Sequence, residues 1–244
     1  QNCRKCGCAF VAVFHGGGEP SLDIRLENIV DMQKAMSAEA GVKMFGYIAT
    51  NGVMSAEKAT SIASRFDLIG LSCDGPEDIQ AVQRKLKTGG NSLPYVERTA
   101  GIIHAAGKPL HVRVTITPTT IHRQVEITQY VCQTLRPQEI HVEAVYSGGR
   151  ARVEDCLREE QAAEFIQEFL AAHREASQYH TKYVMSGSRP GTIHGPYCQV
   201  LRDVLHLVGG NAASACFKVN NRSQAKSSSL MIGECDSTGI FKLD

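Results

Sequence analysis

The sequence predicts an α/β protein built on a parallel sheet, and three observations carry that expectation. Apolar runs of strand length alternate with stretches of helix length through the first 185 residues, five strands in all. Most of these runs close in a polar loop. The chain, at 244 residues, is long enough for one large domain of this kind, or for one domain and a partial second. Repeated right-handed crossovers curl toward a barrel or wind into an open sheet, and periodicity alone leaves both open.

In chain order, residues 10–14 form the first strand, with Val11, Val13 and Phe14 set among apolar neighbours as suits a strand buried on both faces. It ends in Gly16, Gly17, Gly18, Glu19 and Pro20. Residues 23–38 read as an amphipathic helix, and 42–49 as a second strand closed by Thr50, Asn51 and Gly52. Ser55 caps a helix that runs to about residue 66, with Glu57 in its first turn. A third strand over 68–73 ends in Asp74, Gly75 and Pro76, and residues 77–90 are polar and loop-like. Helix over 93–106, strand over 110–117, helix over 121–135 and strand over 138–145 continue the alternation. An acidic helix follows over 159–176. The composition then shifts to Gly, Ser and Pro, so a boundary is expected near residue 185. It divides a main domain, 1–185, from a small extension, 186–244, with a hairpin over 204–219 and a last strand pair after 230.

Charge and hydropathy exclude several classes of function. Lys and Arg total 26 against 25 Asp and Glu, spread without blocks, which argues against a nucleic-acid partner. The longest apolar runs are strand-sized and no signal-like leader is visible, so no membrane partner is expected. Nine cysteines, an odd count in a helix-and-strand pattern, are not read first as a disulfide framework. Cys3, Cys6 and Cys8 crowd into CRKCGC, where thiols ligate a metal or an iron–sulfur cluster more readily than they pair with one another. A cytoplasmic location fits this usage best.

Ligands of parallel β/α arrays gather where the carboxyl ends of the strands meet the following loops. The polar groups of this chain fall there: GGGE after the first strand, TNG after the second, Ser72 and Asp74 at the third, Arg113 within the fourth and Glu143 within the fifth. Each alone also reads as an ordinary turn or ion pair. The glycine loop offers bare backbone and one carboxylate with no cation nearby, which suits a ligand bearing positive charge or N–H donors rather than a phosphate.

Taken with the cysteine cluster, FHGGGEPSL, ATNG, LSCDGP, the RVTIT strand and EAVYSGGRA resemble the radical SAM enzymes, in the branch that holds anaerobic sulfatase maturases and ribosomal peptide maturases. The resemblance runs from Cys3 to about Asp244. It implies a partial (β/α) TIM-like barrel with a 4Fe-4S cluster on Cys3, Cys6 and Cys8. It implies S-adenosylmethionine with its ammonium on Gly16, Gly17, Gly18 and Glu19, its ribose or carboxylate near Asn51, Ser72 and Asp74, and its carboxylate facing Arg113. The implied chemistry is reductive cleavage to a 5′-deoxyadenosyl radical and hydrogen abstraction from a peptide or protein substrate, fed by a flavodoxin- or ferredoxin-type electron donor. Cys198 and Cys216 look like the opening of a SPASM-type extension, which implies auxiliary 4Fe-4S clusters.

Two departures mark this chain. The family spaces its cysteines as CxxxCxxC, whereas Cys3, Cys6 and Cys8 stand at CxxCxC. The family also places a helix and a long connection between its cysteines and the GGGEP strand, whereas only Ala9 separates Cys8 from that strand here. Residues are therefore expected to be missing, relative to the family, around the cysteines and after Cys216. The rival readings are a radical SAM enzyme on a small molecule, and an inactive barrel-fold binding protein that has lost the cluster.

Overall fold

Each strand of the main sheet hydrogen-bonds to the strand that follows it in sequence. β1 (Phe10–Phe14), β2 (Met44–Thr50), β3 (Leu68–Ser72), β4 (Leu110–Ile116), β5 (Glu139–Ala144) and β6 (Lys182–Met185) form one parallel sheet in that order. An unbroken order sends every right-handed crossover to the same face, whereas a doubly wound sheet reverses its order at a switch point. The architecture is thus a partial (β/α) barrel with a small antiparallel sheet after it. A computed structural model of the chain describes residues 2–15, 18–147, 151–185, 206–208, 211–216, 219 and 230–243. It divides into two units, residues 1–15 with 19–186, and residues 16–18 with 187–244.

The helices are α1 (Asn2–Cys6), α2 (Leu26–Glu39), α3 (Ala56–Arg65), α4 (Glu77–Gln83), α5 (Leu93–Ala105), α6 (Gln124–Tyr130) and α7 (Ala162–Gln178). Ser55 caps α3 as expected, its hydroxyl accepting from the Lys58 amide at 3.2 Å. α2 starts later than expected because the Asp23 carboxylate takes the Arg25 amide at 2.8 Å and its guanidinium at 2.9 Å, folding 23–25 into a turn. Where a loop was expected over 77–90, α4 forms: Pro76 stands at its N-cap, Glu77 and Asp78 complement its first turn, and Ile79 and Gln80 are buried. β6 was also unexpected. It is only four residues long, yet Tyr183 is 2% exposed and donates its hydroxyl to Gln124 at 3.1 Å.

The core lies between the helices and the outward-facing strand positions. Ile48, Ile69, Leu71, Val112, Ile140 and Val142 are fully buried there, packed with Ile62, Phe66, Val96, Ile103 and Leu135. Burying each such side chain is worth about 1.5–3 kcal/mol. β1 departs from expectation: it pairs only with β2 among the described strands, and Val11 and Val13 are 56% and 49% exposed, so it is an edge strand rather than one buried on both faces.

In the second unit, β7 (His206–Leu207), β8 (Ala212–Ser214), β9 (Met231–Cys235) and β10 (Phe241–Leu243) make an antiparallel sheet in the order β10-β9-β8-β7. Among the described residues of the expected hairpin, β7 pairs with β8 at His206–Ser214 and Leu207–Ala213, and β9 with β10 supplies the expected last strand pair. Asp236 shapes the β9–β10 turn, its carboxylate accepting from the Thr238 amide, the Thr238 hydroxyl and the Ile240 amide at 2.9, 2.6 and 3.1 Å. Ala212, Val219 and Met231 form its small core. Among the described residues no helix is long and apolar enough to cross a membrane.

Candidate functional site

Alternation along the strands gives the sheet a second face, opposite the helices. Registers place Tyr47 and Ala49 of β2 beside Leu68 and Gly70 of β3, Ser72 of β3 beside Arg113 of β4, and His111, Arg113 and Thr115 of β4 beside Glu139, His141 and Glu143 of β5. This inner face is polar and half-buried where the outer face is apolar and buried. Tyr47 lies across β3, since a Cβ at Gly70 would collide with its hydroxyl, and the ring comes under the influence of Arg113 and Glu143. Burial pushes the Tyr47 phenol up.

Glu19 is fixed at the carboxyl ends of β1 and β2. It caps the 3-10 turn Pro20–Leu22 by accepting from the Ser21 amide at 3.1 Å, and it accepts from the Thr50 hydroxyl at 2.6 Å and the Asn51 amide at 2.7 Å. Two donors fall on Oε1 and one on Oε2. A carboxylate has about four lone-pair positions, so among the described donors one position on Oε2 is left for a ligand N–H. Asn51 makes a local turn, its Oδ1 accepting from the Val53 amide at 2.8 Å. A side chain at Gly18 would meet open space, and Gly16 and Gly17 lie outside the described residues.

Asp74, where the resemblance implies a ribose or carboxylate contact, is tied into a network within the protein. It is 2% exposed, and its carboxylate grips Arg84 in two hydrogen bonds of 2.8 and 3.0 Å while accepting the Thr115 amide at 2.9 Å. Its own amide donates to Gln80 at 2.8 Å, and Gln80 donates on to Ser92 at 3.0 Å, whose hydroxyl donates to the Arg84 carbonyl at 2.7 Å. The network pins α4 over the ends of β3 and β4 and swings Arg84 onto the inner face. Sequence reasoning placed Arg84 in a loop; a carboxylate ten residues before an arginine is too common a pairing to flag it.

A cavity of about 220 Å³ opens there, lined by Ser72, Arg84, Arg113, Thr115, His141 and Glu143 among others. Arg113 donates to Glu143 at 3.1 Å across β4 and β5. The structure therefore brings Ser72 and Arg113 together and adds Arg84 and Glu143 to them. Cys73, next along the chain, turns outward into the core instead, and burial pushes its thiol up to about 12.

The cysteine trio stands elsewhere. Cys3 and Cys6 lie on α1, the Cys8 amide donates to the Cys3 carbonyl at 3.1 Å, and the Phe10 amide donates to Lys43 at 2.7 Å, which sets this segment at the amino-terminal edge of the sheet. A hydrogen bond between the Cys6 and Cys8 thiols lowers the pKa of Cys6 and raises that of Cys8. β1 separates the trio from Glu19 by five residues, about 16 Å at 3.3 Å each. Three thiols so placed do not fit a cluster that shares a ligand with Glu19.

Among the described residues, the group of metal-ligating side chains whose ligand atoms all lie within 4.8 Å of one another is His111, Glu139 and His141. They occupy the amino-terminal end of the inner face, and burial holds His111 below its ordinary value, with His141 and Lys182 adding to the effect against Glu139. In the second unit, Cys216 lies beside the small core, its amide donating to Ser214 at 3.2 Å; Cys198 lies outside the described residues.

No protein-family model matches the chain, and no curated protein sequence does. Solved structures do. Native anSMEcpe with bound AdoMet and the Kp18Cys peptide is 16% identical, with a TM-score of 0.66 over 92% of this chain and 63% of that one. Streptococcus suis SuiB bound to its precursor peptide SuiA is 14% identical, with a TM-score of 0.62 over 88% of this chain and 50% of that one. SuiB bound to S-adenosylmethionine matches at 12% identity and a TM-score of 0.58, over 88% of this chain and 50% of that one. The likeness is one of fold, and the chain spans about half to two thirds of the length of these proteins.

Proposed function

We propose that this chain is the barrel of a radical SAM enzyme that acts on a peptide or protein, binding S-adenosylmethionine at the carboxyl ends of β1 to β5. The observation that supports it best is Glu19, an anionic acceptor held by three donors with one lone-pair position still open beside the polar inner face. An aminoacyl ligand carries an ammonium and a carboxylate. Glu19 suits the first, and Arg113, with one donor engaged by Glu143, keeps others for the second. Ser72 and Asn51, at the ends of β3 and β2, are neutral groups that could meet a ribose.

S-adenosylmethionine supplies, when bound, a sulfonium whose one-electron cleavage starts hydrogen abstraction. The chain's own part is to hold that ligand's charged end. Both anSMEcpe and SuiB have been seen with bound peptides, and this favours a peptide or protein substrate here. Cys3, Cys6 and Cys8 stand at the other end of β1. That placement favours a second reading, a cluster-free barrel that binds S-adenosylmethionine or a related ligand without cleaving it.

Calorimetric titration with S-adenosylmethionine tests the first step. Binding that weakens about tenfold or more in Glu19→Ala and in Arg113→Ala supports the site; unchanged affinity in both variants removes it. Anaerobic reconstitution with iron and sulfide then separates the readings. 5′-Deoxyadenosine formed with dithionite supports the enzyme, and a colourless protein that binds without cleavage supports the rival.

A further inference from the structure

We propose that His111, Glu139 and His141 form a site for a zinc-type divalent cation at the amino-terminal end of the barrel's inner face. The register of β4 and β5 sets His111 directly beside Glu139, and His141 follows two residues on, so all three side chains leave the sheet on one face from paired backbone. The two imidazoles stack with centroids 5.4 Å apart and an interplanar angle of 29°. His141 Nε2 lies 2.5 Å from Glu139 Oε1, and the three ligand atoms all lie within 4.8 Å of one another. Tetrahedral coordination at bond lengths of about 2.0–2.2 Å needs ligand atoms about 3.3–3.6 Å apart, a spacing between the 2.5 Å of the Glu139–His141 pair and the 4.8 Å within which all three atoms lie.

The donor set decides the ion. Two imidazoles and one carboxylate suit zinc and its first-row neighbours, while calcium and magnesium ask for oxygen. Three protein ligands leave a fourth position open, as in catalytic rather than structural zinc sites. Glu139 and His141 are 19% and 29% exposed, and His141 also lines the 220 Å³ cavity, which gives an ion its way in. Lys182 of β6 pairs with Glu139 in register and Arg113 of β4 pairs with His141, so two cations compete with an ion there and affinity rests chiefly on the two imidazole nitrogens. A hydrogen bond between Glu139 and His141 would explain one imidazole. It leaves the second, stacked alongside, without a purpose. The site meets the proposed S-adenosylmethionine site at one point, where Arg113 pairs with His141 in register and both line the same cavity, but cobalt binding to His111, Glu139 and His141 is read without S-adenosylmethionine.

Cobalt(II) titration of a Cys3→Ser/Cys6→Ser/Cys8→Ser variant tests the proposal with the clustered, solvent-accessible thiols of the amino-terminal segment removed. The expected result is one cobalt per chain, ligand-field absorption without thiolate charge-transfer bands, displacement by zinc, and affinity about tenfold or more weaker in His111→Gln and His141→Gln. No binding in the cysteine variant, thiolate bands from the remaining cysteines, or equal affinity in both histidine variants overturns it. If a histidine variant does not fold, proton NMR of the cobalt-loaded parent decides. Two exchangeable imidazole resonances shifted by the metal uphold the site, and none refutes it.

Discussion

The two ends of the barrel's inner face use similar residues and treat charge in opposite ways. At the carboxyl end the acids are engaged: Asp74 grips Arg84 at 2.8 Å, Glu143 receives Arg113 at 3.1 Å, and Glu19 collects neutral donors from β2 and its own turn. At the amino end a single carboxylate, Glu139, sits with two stacked imidazoles and one lysine partner in register. The carboxyl end is therefore preorganised by its own ion pairs. A zwitterionic ligand bound there as proposed would add partners to the open lone-pair position of Glu19 and the unengaged donors of Arg113 without breaking these ion pairs.

The largest expected effect breaks the paired end. Asp74→Ala leaves the Arg84 guanidinium and the Thr115 amide without their acceptor, and should lower stability by about 3–5 kcal/mol in urea unfolding. A loss under about 1 kcal/mol would mean that the ion pair does not organise this end. Next comes Glu19→Ala, which strands the Thr50 hydroxyl and the Asn51 amide and should cost about 1–3 kcal/mol, besides weakening S-adenosylmethionine. If affinity falls while stability holds, Glu19 is a ligand contact more than a staple.

Ser55→Ala, remote from both ends, sets the scale for a change that touches neither, about 1 kcal/mol from a lost helix cap. The smallest effect concerns the amino end and has a definite sign. Because burial lowers the folded-state pKa of His111, the unfolded chain takes the proton first. Its contribution to stability is full above about pH 6.5 and is lost as pH falls through the lower folded value. Urea midpoints between pH 8 and 5 should fall less steeply in His111→Gln than in the parent. Parallel slopes would show that the imidazole end carries no such strain.

The difference between the ends also explains what the sequence disclosed. Glu19 was legible because a glycine run, a carboxylate and a proline leave few local readings, and the parallel strand order put it at a strand end. Arg84 was hidden because its reach depends on α4, whose polar sequence reads as a loop until Ile79 and Gln80 are seen buried. His111, Glu139 and His141 were hidden for another reason. In LHVRVTIT and EIHVEAV they are simply the polar half of an alternation, and only the register of two strands far apart in sequence brings them together. The cysteine trio was visible as a set of thiols, but its distance from Glu19 follows from the single residue before β1, a matter of chain length rather than residue type. β6 was too short to declare itself.

The unbroken strand order carries a consequence for how the chain reaches this state. Every main-sheet strand finds its partner in the next strand to be made, so each β-α-β unit can dock on its predecessor as it leaves the ribosome. Loop closure stays short at every step, and assembly can proceed from β1 toward β6 without waiting for the distant end.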